Sequence, residues 1–358
     1  MIMATTPSSR ATAYRSPTCP ATLLLALAGI VAADCGRAQD HPPLQKPTRR
    51  VAYRSFEGAE RRLFPWPGER VTILTRAKDQ DLAAMQALLT VCDDVYAFYA
   101  DATGRSPQPR APGETKLAIA EEAKTCGAGC GYLGTAGIEI MPEFLTAQLQ
   151  TLAKGAAVDQ VLPYEFGRNF WFYSDQLEYH EPQSTGTVTT GYAVLMRFWA
   201  IEAIGREVGP FNGHPGAEFL AAVEALVDTY TATPKATWQT TLAVGSGIDN
   251  PMGLGATDLF ASFLMRVRRD HADRRAAAAP AARREAVRAA ARSEFVRQLW
   301  REVAQRPKAA TSEAAVDNLV IACSLAADED LVARFRDEWR FPVSAAAAAT
   351  VARALRQK

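Results

Sequence analysis

The sequence predicts an α+β fold that is mostly helical: a small N-terminal sheet with helices, then a large helical region. Two patterns carry that expectation. Before residue 142, short β-prone runs alternate with Pro/Gly turns, whereas beyond it apolar residues recur at helical spacing almost without a break. With 358 residues, 48% of them hydrophobic, the chain has enough apolar surface for a sizeable core.

Residues 1–33 read as a signal peptide. Arg10 and Arg15 form a basic start, and Thr22 to Ala33 is an apolar run too short to span a bilayer comfortably. Val31-Ala32-Ala33 offers small residues for cleavage, with Gly36-Arg37-Ala38 as a second choice. The chain is therefore expected to be exported, periplasmic or secreted. A lipoprotein anchored at Cys35 is the alternative, disfavoured by Asp34 beside it, and a buried core helix is another. Once Arg10 and Arg15 are removed, the formal net charge of +1 becomes −1. Such a balance gives no reason to expect nucleic acid as a partner. No later segment is long and apolar enough for a membrane span.

Residues 34–49 are polar and proline-bearing, as in a linker. Residues 50–155 are expected to form the α+β part and residues 156–358 the helical part. Val51–Phe56 and Arg70–Thr75 read as strands, divided by a turn at Pro65-Trp66-Pro67-Gly68. A helix then follows from an N-cap at Asp79, with Leu82, Met85, Leu89, Cys92, Tyr96 and Tyr99 at helical spacing and Gly104 as its stop. Lys116–Ala120 and Ala136–Met141 read as strands around the glycine-rich stretch 126–134. Helices are expected near 142–153, 156–174, 188–205, 215–231, 256–270, 283–304 and 312–336. The helix at 188–205 is apolar on nearly every side and is expected to be buried.

Export favours disulfides over free thiols. Cys126 and Cys130 lie close enough to pair with each other, while Cys92 and Cys323 each sit in a helix from which either could reach one of them. The stretch 266–294 carries nine arginines against four acids and reads as a solvated helix or an insertion, with a basic binding surface as the alternative.

Tyr164-Glu165-Phe166-Gly167-Arg168-Asn169-Phe170-Trp171 resembles the active-site helix of zinc peptidases of the zincin type, in particular the gluzincin and enhancin-like group. There H-E-x-x-H places two imidazoles on one helix face, and the glutamate polarises the metal-bound water. The glutamate, glycine, asparagine and aromatic tail match, but Tyr164 and Arg168 stand where the histidines would be. The resemblance implies a third ligand on a following helix, and Thr190, in Thr189-Thr190-Gly191-Tyr192-Ala193, occupies that place. It also implies a zincin-like layout over residues 50–205, with 136–141 as the edge strand that pairs with extended substrate.

Neither a phenol nor a guanidinium is a ready zinc ligand at neutral pH, so no metal and no cofactor is expected. Arg168 lies three residues after Glu165, a spacing suited to an ion pair. On this reading the chain is a metallopeptidase-like protein without its zinc ligands, a module binding extracellular peptide or glycan. Tyr164 and Glu165 are the candidate catalytic residues, and Arg168, Asn169, Tyr132, Glu139, Thr190 and Tyr192 the candidate cleft residues. The alternative is an exported hydrolase, a peptidase or a carbohydrate-active enzyme, working through Glu165 with Glu178 and Glu181 nearby in sequence. His180 and His214 would have to meet to build a conventional zinc site. The run Phe170–Tyr173 is expected to be mostly core packing.

Overall fold

A computed structural model describes residues 43–155 and 157–357. The expected signal peptide, Cys19, Cys35 and His41 lie outside the described residues. The architecture is α+β and mostly helical, as the sequence predicts.

Three strands open it: β1 (Val51–Arg54), β2 (Glu60–Pro67) and β3 (Val71–Thr75). Helix α1 (Leu82–Thr103) follows, then β4 (Leu117–Glu121), β5 (Gly129–Gly131) and β6 (Ile138–Ile140). These strands form one six-stranded sheet in the order β1-β2-β3-β4-β6-β5. Its centre, β3-β4-β6, is parallel, and both flanks are antiparallel.

The segment at Pro65-Trp66-Pro67 is strand rather than turn. β1 pairs with the first half of β2, Glu60 to Leu63, and β3 with the second, Phe64 to Pro67. Both prolines thus fall where β2 has β3 alone as neighbour, an edge position at which a missing N–H removes no ladder bond. Trp66 between them is fully buried and donates Nε1–H to Thr75 Oγ1 at 2.8 Å.

Helix α1 is capped by Asp81, whose carboxylate accepts from the Ala84 amide at 2.8 Å. Asp79, the residue expected there, instead lies 3.5 Å from the Lys46 ammonium. Gly104 ends the helix in the left-handed region, as expected. The sheet edge also differs from expectation. β6 is not the edge, because β5 pairs antiparallel outside it. The glycines of β5 hide the alternating pattern by which a strand is read.

The remaining elements are α2 (Pro142–Lys154), β7 (Ala157–Val158), α3 (Val161–Asn169), α4 (Ser174–Leu177), α5 (Thr187–Ala203) and β8 (Glu207–Val208). They continue with α6 (Gly216–Ala232), α7 (Ala256–Ala277), α8 (Arg284–Ala304), α9 (Ser312–Ala327) and α10 (Ala345–Arg356). The helix expected over 156–174 is broken, since α3 ends at Asn169. The rings that follow pack in different directions: Phe170 against Tyr96 and Tyr99 of α1, and Tyr173 against Tyr192 of α5 and Trp300 of α8. The helix expected to reach 336 stops at Asp328 in the left-handed region, and a π turn covers Arg334–Glu338.

The main apolar cluster runs from Ile73 and Ile119 in the sheet through Tyr99, Phe166 and Leu195 to Trp300 and Val320, and a small second one gathers Tyr53, Leu63, Leu74 and Ala120. Helix α5 is buried along nearly its whole length. The arginine-rich stretch forms the α7–α8 hairpin, and six of its nine arginines are tied to nearby acids. Arg268 and Arg292 both hold Glu202, at 2.6 and 2.8 Å, and Arg266 holds Asp228 at 2.5 Å. Such partly exposed pairs contribute little each, but they offset much of the positive charge locally.

Candidate functional site

Helix α3 lies between the edge strand β5 and the buried helix α5, and glycines set both distances. A Cβ on Gly167 would fall 2.8 Å from Ala193 Cα, and one on Gly131 would fall 2.7 Å from the Glu165 carbonyl oxygen. Neither contact is tolerable, so these positions bring α5 and β5 unusually close to α3. The Cys126–Cys130 disulfide closes the loop that leads into β5. It is one of the pairings the sequence left open; Cys92 and Cys323 are free, buried thiols, with burial raising the pKa of each.

The gap between loop and helices is a cavity of about 500 Å³. Its walls are the 126–133 segment, then Val161, Tyr164, Glu165 and Arg168 of α3, Thr190 and Arg197 of α5, and Phe211. Tyr132 and Leu133 stand exposed at its mouth. Tyr164, Glu165, Arg168, Thr190 and Tyr132 are therefore brought together around one open space.

Glu165 is 6% exposed and its carboxyl is raised to about 7. Burial is the cause; the Arg168 charge and the Gly131 backbone amide oppose it without cancelling it. The ion pair expected between Glu165 and Arg168 is not formed. Arg168 instead reaches across to α5, placing Nη1 3.4 Å from Thr190 Oγ1. Burial also raises the Tyr164 phenol, with Arg168 opposing and a hydrogen bond to Thr190 acting the same way as Arg168. The three positions that the sequence resemblance aligns with metal ligands, Tyr164, Arg168 and Thr190, thus meet at one point. Their donor set, a protonated phenol, a guanidinium and a hydroxyl, does not fit a divalent cation. Among the described residues no three His, Cys, Asp or Glu side chains gather into a metal-binding group.

The other predicted residues hold the walls. Asn169 is fully buried and donates Nδ2–H to the Tyr132 and Gly137 carbonyls, both at 3.0 Å, locking the end of α3 to the 131–137 segment. Tyr192 donates its hydroxyl to the Phe170 carbonyl at 3.1 Å. Glu139 accepts from the Phe56 amide at 2.6 Å and from the Tyr53 hydroxyl at 2.9 Å. None of these three lines the cavity.

Glu178 accepts from the Gly186 amide and the Thr189 hydroxyl at the start of α5, and Glu181 accepts from Ser312 at the start of α9. Both tie loop residues to helix starts through these bonds, and neither lines the cavity with Glu165. His180 is exposed, with its amide donating to Ser312 Oγ, and His214 sits in a short turn paired through its backbone with Phe211.

Arg197 was not singled out from sequence. It is 3% exposed, and its guanidinium lies over the rings of Phe198 and Phe211 at 4.6 and 4.8 Å. Its Nε is buried without a hydrogen-bond partner, and burial lowers its pKa to about 10. The readable signal was a single cation inside the apolar run Val194 to Trp199. A larger cavity of about 700 Å³ lies where α5, α6 and α7 meet. The cations Arg268 and Arg292 on its wall are already paired with Glu202.

No protein-family model matches the chain, and no curated protein matches it. Among solved structures it is similar to a conserved protein of unknown function from Bacillus anthracis, with TM-score 0.50 and 11% identity, over 81% of this chain and 51% of that one. A mutant of a functionally unknown conserved protein from Bacillus anthracis gives TM-score 0.48 at 13% identity, over 82% and 52%. The ZmpB metallopeptidase from Clostridium perfringens gives TM-score 0.45 at 12% identity, over 81% and 48%. The chain spans about half the length of the solved structures it matches.

Proposed function

We propose that the chain is an exported, zincin-like protein whose metallopeptidase site has lost its zinc ligands, and that the open cleft beside Glu165 binds extracellular peptide or glycan. One observation carries this reading: the Arg168 guanidinium spans from α3 to Thr190 at 3.4 Å, filling the point where a cation would be held. A fixed positive charge there opposes divalent metal binding by several kcal/mol at roughly 4–6 Å and an effective dielectric of about 20. The Cys126–Cys130 disulfide supports an oxidising destination. No helix among the described residues is long and apolar enough to cross a membrane. The division at residue 156 into an α+β part and a helical part belongs to the same proposal.

The test is metal analysis of the purified mature protein, with binding and turnover assays on peptide and glycan panels. Binding that survives chelator, without turnover, supports the reading. Stoichiometric zinc together with chelator-sensitive peptidase activity ends it.

A second reading has its own observation. Glu165 titrates near 7 inside an open cavity with Tyr164 beside it, a setting suited to general acid–base work. A metal-independent hydrolysis lost in Glu165→Gln, with fold intact, would favour this hydrolase reading.

A further inference from the structure

We infer that the cavity is a receptor for a carboxylate group carried by an extended peptide, gripped by Arg168 and Arg197. This deepens the peptide-binding reading and rests on it.

Three observations converge. The first is an unbalanced pair of cations. Arg168 comes from α3 and Arg197 from α5, both line the same cavity, and neither forms an ion pair within 4 Å with any described residue. Asp258 and Asp159 act on Arg197 only from beyond ion-pair distance, their carboxylates held by the Gly255 amide and by Gln148 and the Val161 amide. A buried guanidinium without a direct ion pair is costly, and an anion entering the cavity relieves that cost.

The second is geometry. Arg197 is buried on aromatic rings with Nε unpartnered, so its planar fork is held in place before any ligand arrives. A fixed guanidinium suits a planar, two-oxygen acceptor. Thr190 and Tyr164 add hydroxyl groups to the same wall. Glu165 is the one acid lining the cavity, and its proton is retained up to near neutral pH, where a neutral carboxyl does not repel an anion.

The third is the neighbouring strand edge. β5 lines the cavity and is paired on one side only, by β6. An extended chain laid along β5 gains backbone hydrogen bonds and delivers its carboxylate to the two arginines.

The experiment is calorimetry with three pools of N-acetylated tetrapeptides at pH 6. One pool lacks Asp and Glu and ends in a free carboxylate; its twin ends in an amide; the third is amidated but contains Asp and Glu. Tighter binding of the first pool by about tenfold or more assigns the site to C-terminal carboxylates, and the same gain for the third assigns it to acidic side chains. In either case Arg168→Gln removes the gain while circular dichroism is unchanged, and Arg197→Met does the same if it folds. Equal binding of all three pools overturns the carboxylate inference and leaves peptide binding standing. No binding by any pool ends both.

Discussion

Arg168 and Thr190 face each other across the α3–α5 contact, with Nη1 and Oγ1 3.4 Å apart. The guanidinium therefore points toward α5, and the Glu165 carboxyl is left on the β5 side with burial as its dominant influence. A spacing of three residues on a helix allows an ion pair, but the wall opposite each side chain decides whether one forms.

Glu165 then gives a pH-dependent stability. Its folded value of about 7 lies above the ordinary value of 4.5, so the folded state holds the extra proton. Stability from this group is complete below about pH 4.5 and is lost as pH rises through 7, amounting to about 3 kcal/mol. Glu165→Gln should therefore match the parent near pH 4 and exceed it at pH 8, read by urea denaturation. A stability difference that does not change with pH would contradict the assignment.

Gly131→Ala tests the close approach of β5. The new Cβ would sit 2.7 Å from the Glu165 carbonyl, 3.1 Å from Asn169 Nδ2 and 3.2 Å from Arg168 Cβ. The nearest of these is backbone and cannot rotate away. The expected cost is about 1–3 kcal/mol, with ligand binding at the cavity weakened as well. Unchanged stability in thermal melts would mean that β5 does not press on α3.

Tyr53→Phe probes the group under Glu139. The phenol donates to Glu139 at 2.9 Å and accepts from Arg110 at 3.0 Å, and the first of these bonds is buried. Its loss should cost about 1–3 kcal/mol, because the carboxylate keeps only the Phe56 amide. Cavity binding should be unaffected, since Glu139 does not line it. A binding defect at full stability would place Glu139 in the site after all.

The parts of this fold that sequence made legible are those with a regular period. Helices α1, α2, α5, α6 and α8 fall close to where their apolar spacing puts them, and the order of β3, β4 and β6 follows from short β-prone runs. What escaped lacked a period. β2 carries two prolines that only a half-strand edge accommodates, and β5 is three residues with two glycines. Helix α10 begins in an alanine run whose one clear signal is Ser344, which accepts from the Ala347 amide at 3.1 Å. In the site, Tyr164, Glu165 and Arg168 are marked by their motif, but Arg197 and Phe211 enter through packing of distant segments, and Glu178 and Glu181 bond to the starts of α5 and α9 instead.

The Cys126–Cys130 bond closes a five-residue loop on the approach to β5. In a chain-entropy picture, removing it with paired serine substitutions costs about 2 kcal/mol. The more local expectation is faster hydrogen exchange at 126–131 and weaker ligand binding, with little change in exchange for α7 to α9. A uniform loss of protection across the chain would argue against a local role.

If α3 keeps the geometry of a zinc-binding helix, restoring the ligand types should restore the metal. The triple variant Tyr164→His, Arg168→His and Thr190→Glu removes the guanidinium and supplies two imidazoles on one helix face with a carboxylate from α5. Positions 164 and 168 are one turn apart, and both act on position 190, Arg168 through its 3.4 Å approach and Tyr164 through a hydrogen bond. The variant is expected to bind one zinc per chain and gain thermal stability with added zinc, whereas the parent gains none. Arg168→His alone should not suffice, because one imidazole beside a phenol and a hydroxyl is a poor donor set. Failure of the folded triple variant to bind zinc would mean that the three positions, though adjacent, never had the geometry of a metal centre.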